Sequence, residues 1–168
     1  MKALVYEGPR ELNMREVSEP ELEPEEVLIR VAFSGICGSE LSGYLGQSTL
    51  RYPPLVMGHE FAGEIVALGA LTARHNPDLA VGQRVTVNPL LYCGRCRACL
   101  SGCHNLCAGR QLLGAHRPGS YADYVKAHAR MVHPLPAGLS LEHAALTEPL
   151  ACAVRTVHLA SIQNPAAD

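Results

Sequence analysis

Four cysteines, Cys93, Cys96, Cys99 and Cys107, fall within fifteen residues, in the run C-G-R-C-R-A-C-L-S-G-C-H-N-L-C. Two-residue gaps let successive thiolates turn back toward one centre, and the longer arm to Cys107 supplies a fourth. Four thiolates around one ion make the closed, tetrahedral site that Zn²⁺ prefers. A closed site leaves no position for a substrate, so the run is expected to hold structure, and any chemistry must lie elsewhere. Cys103 and His104 stand inside the run as competing ligands.

The rest of the chain is ordinary for a globular protein. Of its 168 residues, 48% are hydrophobic and 18% charged, enough for one domain with a real core. A net charge of −2 gives no electrostatic reason to expect nucleic acid or an anionic membrane as partner. No apolar run approaches the roughly 20 residues of a membrane helix, and the start, M-K-A-L-V-Y-E-G, lacks a signal peptide's apolar stretch. The expected location is therefore the cytoplasm, where seven cysteines point to metal binding more than to disulfides.

Scattered Gly and Pro favour short strands joined by turns. Residues 27–33 read as a strand with Val27, Ile29, Val31 and Phe33 on one face. Residues 61–68 read as another, with Gly63 marking a close approach or bulge. Further strands are expected over 84–87, 120–126 and 130–133. The acidic stretch 16–26 reads as a solvated connection. After Pro136 the texture turns helical: Ser140 can cap a short helix over 141–146, and Pro149 suits the first turn of a second. Leu150, Ala153, Val154 and Val157 then share one apolar face, on which Cys152 is expected to be core. The fold class is mainly β with short helices.

A second constellation lies apart from the run. Gly35-Ile36-Cys37-Gly38-Ser39-Glu40, Gly58-His59-Glu60 and Thr147-Glu148-Pro149 supply a thiolate, an imidazole and carboxylates, each beside glycine or proline in an expected turn. Singly, each has a bland reading: a buried small cysteine, a hydrogen-bonded histidine, an acidic residue at a helix start. Together they are a ligand set for an open zinc site with room for water or substrate. The other histidines, His75, His116, His128, His133, His143 and His158, read as ordinary surface or core residues.

These motifs resemble, in order and over nearly the whole chain, the zinc-dependent medium-chain dehydrogenase/reductase family, most of all its sorbitol, butanediol and threonine dehydrogenase branch. The residues that carry the likeness are Cys37-Gly38-Ser39, Gly58-His59-Glu60, Val81-Gly82-Gln83-Arg84-Val85, the Cys93–Cys107 run, Gly119 to Tyr124, and Glu148-Pro149-Leu150. The resemblance implies a GroES-like β-barrel catalytic domain over 1–136, with a structural zinc lobe at about 88–110, and a helical segment over 137–168 leading toward a nucleotide-binding domain. It implies that Cys37 and His59 hold a catalytic zinc with Glu148. Glu60 would be a ligand or a carboxylate that exchanges with water, and Ser39 would pass on the substrate's hydroxyl proton. Cys93, Cys96, Cys99 and Cys107 would hold a structural zinc, with Cys103 a bystander. The substrate would be a small alcohol or polyol, giving up hydride to NAD or NADP.

Glu40 stands where the family has aspartate, Ser42 where many relatives have histidine, and residues 74–80 read as a short insertion in a surface turn. No G-x-G-x-x-G follows a strand, so the Rossmann domain is absent from this chain, NAD or NADP is expected only with the missing half, and little turnover is expected from the chain alone. The alternative reading is a non-catalytic GroES-like zinc module acting as a scaffold or partner-binding domain. The apolar helix face suggests a homo-oligomer.

Overall fold

A computed structural model describes residues 1–163. In chain order the strands and helices are β1 (Lys2–Gly8), β2 (Glu11–Glu16), β3 (Glu26–Ser34), α1 (Gly38–Tyr44), β4 (Leu55–Val56), β5 (Phe61–Leu68), β6 (Arg84–Val87), β7 (Leu90–Leu91), α2 (Arg97–Leu100), β8 (Gln111–Leu112), β9 (Tyr124–His128), β10 (Val132–Pro134), α3 (Leu141–Ala144) and α4 (Thr147–Gln163). The largest sheet has the order β10-β6-β5-β3-β9; a second has β2-β1-β4; β7 and β8 pair alone beneath the cysteine run. All the pairings are antiparallel.

The core forms where β-branched and aromatic side chains of the five-stranded sheet point inward. Val27, Ile29, Phe61, Ile65, Val85, Val125 and Val132 are buried to within 2%. Strand β3 follows the expected alternation through Ile29, then slips register against β5 between Val31 and Phe33. That irregularity turns Phe33 outward, 46% exposed, so it does not share the inner face with Val27 and Ile29 as the period-2 pattern predicts. At Gly63 the β3 backbone comes so close that a Cβ would stand 2.1 Å from the Arg30 carbonyl oxygen.

The two large sheets are joined by residues 121–123. The Leu4 N–H donates to the Tyr121 carbonyl (2.7 Å) and the Asp123 N–H to the Lys2 carbonyl (3.0 Å). On the other side the Val31 N–H donates to the Asp123 carbonyl (2.9 Å). The segment expected as one strand over 120–126 therefore divides: its first half bridges the sheets and only the second half enters β9. The strand expected over 130–133 likewise begins as a 3₁₀ turn, Ala129–Met131, before β10.

Two other expectations change. The acidic stretch is not all solvated, for Glu26 opens β3 at 4% exposure, paired with Arg117 and with Lys126 at 3.0 Å. Burial alone would raise its carboxyl pKa, but the bonds to Arg117 and Lys126 outweigh it and hold the pKa below the usual range. Cys152 is exposed on α4, not core, and its thiol donates to Glu148 Oε1 at 3.4 Å. The face of α4 bearing Leu150, Val154 and Val157 is exposed, as nothing in the described residues packs over it closely enough to bury it. Ser140 caps α3 as expected, accepting from the His143 N–H at 3.2 Å. No described helix is long and apolar enough to cross a membrane.

Gly63→Ala drives a methyl into a strand carbonyl and is expected to lower stability by about 1–3 kcal/mol. Gly109→Ala meets nothing within 4 Å of the new carbon and should stay within about 0.5 kcal/mol of the parent. Urea unfolding of the two variants side by side checks the difference.

Candidate metal centres

The cysteine lobe is built on the β7–β8 ribbon, one turn of helix and a 3₁₀ turn at His104–Leu106. Its four sulfurs lie within 4.8 Å of one another, Cys96 to Cys99 at 3.5 Å and Cys93 to Cys99 at 3.9 Å. A tetrahedron with Zn–S bonds of about 2.3 Å has edges of about 3.8 Å, whereas a disulfide needs about 2.05 Å. The spacing fits four thiolates about one zinc, and the cysteines are not bridged. Cys103 is exposed and reaches only the Ser101 carbonyl, outside the group. His104 stacks flat on Tyr92, ring centres 3.8 Å apart, and is not among the close four-ligand group. Arg130 lies over the same Tyr92 ring at 4.5 Å and bonds its carbonyl, fastening the lobe to the barrel.

The second group gathers Cys37, His59 and Glu60, whose ligand atoms lie within 4.8 Å of one another. Cys37 is the residue before α1, and Glu40 in that helix's first turn folds back to accept the Cys37 N–H at 3.0 Å. This reciprocal cap fixes the thiol at the helix start. His59 and Glu60 sit between β4 and β5 and are 5% and 8% exposed. Gly58 before them has φ +95°, and a Cβ there would stand 2.6 Å from Ser120 Oγ, so only glycine fits this turn. A Cβ on Gly35 would stand 2.6 Å from Glu60 Oε2, so that glycine makes room for the carboxylate.

His59 Nδ1 contacts Glu40 Oε1 at 2.5 Å. A carboxylate on Nδ1 keeps the proton there and leaves Nε2 for a metal. Burial alone would lower the His59 pKa, but the bond to Glu40 and the charges of Glu40, Glu148 and Glu60 outweigh it and raise it. A metal and a proton compete for Nε2 of this ring, at a site whose negative surroundings favour a cation. The side chains fit a zinc ion: a half-buried thiolate, a buried imidazole with one nitrogen committed, and a buried carboxylate.

Glu148, at the start of α4, is near enough for its charge to act on His59, yet it falls outside the close three-residue group and its Oε1 faces Cys152. Ser39 stands at the exposed rim, its Oγ 3.1 Å from Arg51 Nη2. The longer side chain of Glu40 spans the gap that its departure from aspartate left in question, reaching His59 and Cys37 at once. Arg51 was not visible as a site residue from sequence: it carries no motif and no spacing, and only the fold brings it to Glu40, at 3.0 Å.

A third gathering, Glu25, His75 and His128, has ligand atoms equally close. His128 Nδ1 accepts the Arg130 N–H at 3.3 Å, so in the neutral ring Nε2 keeps its proton and faces Glu25 Oε2 at 3.4 Å. The three side chains form a hydrogen-bonded cluster, with His75 Nε2 2.9 Å from Glu25 Oε1.

Comparison with known proteins joins these observations. The family described as the alcohol dehydrogenase GroES-like domain matches residues 23–137. The chain belongs to that family. It is 42% identical to the D-arabitol-phosphate dehydrogenase of Enterococcus avium over 85% of this chain and 40% of that protein. It is also 42% identical to the sorbitol dehydrogenase of Halalkalibacterium halodurans, over 98% of this chain and 47% of that protein. A putative zinc-binding dehydrogenase from Sinorhizobium meliloti, solved bound to NADP, superposes with a TM-score of 0.86 at 37% identity, over 94% of this chain and 45% of the other. The resemblance to zinc-dependent medium-chain dehydrogenases and the mainly β, GroES-like fold are thus borne out. The chain spans less than half the length of these relatives.

Within the lobe the thiols differ. The amide N–H groups of Arg95 and Cys96 lower Cys93 to a pKa of about 6, while burial, reinforced by the neighbouring sulfurs, raises Cys99 to about 12. In metal-free chain at pH 7, iodoacetamide is expected to label Cys93 well before Cys99, because the thiolate is the nucleophile. Peptide mass mapping over time reads the order, and zinc should protect both.

Proposed function

We propose that this chain is the metal-binding, catalytic part of a zinc-dependent alcohol or polyol dehydrogenase that uses NAD or NADP. The observation that carries the reading is the convergence of Cys37, His59 and Glu60, with His59 Nδ1 held by Glu40. Family membership and the names of the polyol dehydrogenases it matches support the substrate class.

In this reading Cys37 and His59 hold a catalytic zinc, and Glu60 and Glu148 share the remaining protein position. Bound there, zinc supplies Lewis acidity that makes an alcohol's hydroxyl easier to deprotonate near neutral pH. Binding both carboxylates would leave the centre net negative and the acid weaker, so one is held loosely. Glu148 is assigned the looser place, since it stands outside the close group. Ser39, exposed at the rim beside Cys37, takes the proton from the substrate hydroxyl and releases its own to solvent. NAD⁺ or NADP⁺ would supply the hydride acceptor for the alcohol carbon, leaving a carbonyl compound, the reduced nucleotide and a proton. No nucleotide contact is assigned to this chain. Cys93, Cys96, Cys99 and Cys107 hold a structural zinc. Residues 1–136 form the catalytic domain and residues from 137 onward the helical segment that leads from it, of which 164–168 lie outside the described residues. Seven unbridged cysteines favour a reducing, cytoplasmic setting.

Metal analysis of purified chain is expected to give two zinc ions. Cys37→Ser should lose one and Cys93→Ser the other. A parent chain that holds a single zinc, unaffected by Cys37→Ser, overturns the catalytic reading and favours a zinc-stabilised scaffold instead.

A further inference from the structure

The group that ties the second centre together is a buried arginine. Arg51 lies in the connection between α1 and β4, and its side chain is 1% exposed. Its guanidinium makes four hydrogen bonds to two separate segments, the first turn of α1 and the loop at Gly114. Nε donates to the Gly114 carbonyl (3.0 Å), and Nη1 to the Ser39 carbonyl (2.9 Å). Nη2 donates to Ser39 Oγ (3.1 Å) and to Glu40 Oε1 (3.0 Å).

We infer that Arg51 is a positioning residue for the proposed catalytic metal, fixing the orientation of His59 through Glu40 and the direction of the Ser39 hydroxyl. The inference rests on the functional reading above. Glu40 Oε1 lies between His59 Nδ1 and Arg51 Nη2, so one oxygen sets the imidazole's angle and is itself set by the guanidinium. A carboxylate at 2% exposure keeps its charge only beside a cation, and Arg51 is a cation that holds its charge at any working pH. The bond into Ser39 Oγ occupies one lone pair of that hydroxyl. Its remaining hydrogen-bonding directions then lie away from Arg51.

Two glycines are shaped around this arginine. A Cβ on Gly43, in α1, would stand 2.7 Å from Arg51 Cδ, so the helix is cut back to let the stem pass. Gly114, which takes the Nε bond, packs so tightly on Gly58 that a Cβ there would stand 2.7 Å from the Gly58 carbonyl oxygen. The guanidinium therefore braces the Gly58-His59-Glu60 loop from behind while it holds Glu40 from the side. Lysine keeps the charge but is a point donor, and cannot span the Gly114 carbonyl, both Ser39 oxygens and Glu40 together.

The test compares zinc affinity at the two centres of the same chain by chelator competition, with the four-cysteine zinc as internal reference. Arg51→Lys is expected to weaken zinc at Cys37 and His59 by about 10–100-fold, the usual effect of losing a partner that orients a ligand. The four-cysteine affinity should stay unchanged. Cobalt placed at the Cys37 site should show shifted visible bands in the variant. Gly43→Ala, which displaces the arginine stem, should weaken the same zinc and leave the four-cysteine affinity unchanged. A parent chain that binds two zinc ions, with an Arg51→Lys variant matching it in both affinities and in the cobalt spectrum, overturns the inference alone. Loss of both zinc ions together in Arg51→Lys also overturns it, since the residue would then be a general structural support. A parent chain that takes up only the four-cysteine zinc overturns the functional reading and this inference with it.

Discussion

One buried carboxylate, Glu40, is the point on which the second centre depends. It accepts the Cys37 amide, meets His59 Nδ1 and receives Arg51. Each contact does a different job: the first seats the thiol at a helix start, the second aims the imidazole, the third offsets the charge. Removing water from a carboxylate is costly unless every partner is in place, so the three segments that meet here stand or fall together. The barrel around them can be read as the frame that brings residues 37, 51 and 59 to one oxygen.

The cysteine lobe follows the opposite design. It has little apolar core of its own: α2 buries only Cys99, and Leu100 and Leu106 are exposed. Its shape comes from four sulfurs converging and from the Arg130–Tyr92–His104 stack that anchors it. A region held by so few packed side chains would gain stability from a metal, which is how small zinc modules escape the need for a large core. The thiols of this lobe and the ligands of the other centre therefore belong to separate physical problems, one of folding and one of chemistry.

Most of what was legible in the sequence was chemical. Thiolate spacing marks the lobe because metal geometry is local, spelled by residues a few positions apart. The strands at 27–33, 61–68 and 84–87 were legible because burial on one face writes alternation into the chain. What escaped notice is what depends on distant partners. The β1–β2 hairpin was not read at all: β2 is exposed almost throughout, so it has no apolar period to display. Glu26 looks like its acidic neighbours until Arg117 and Lys126 arrive from ninety or more residues away. Cys152 carries an apolar helical pattern whose covering surface is missing from the described residues. Arg51 is the clearest case, since its four partner atoms lie on α1 and at Gly114, which only the fold brings together.

The bridge at residues 121–123 sets an order of events in time. Its bonds run to residues 2 and 4 on one side and to residue 31 on the other. A ribosome adding about 5–20 residues per second delivers Tyr121 some ten seconds after Leu4. Through that interval the edge of β1 that residues 121–123 will take lacks its final partner, and both metal-ligand sets have almost wholly emerged before the barrel can close. Closure thus joins residues 2 and 4 to a segment made more than a hundred positions later, and the zinc lobe, whose ligands end at Cys107, can form ahead of it.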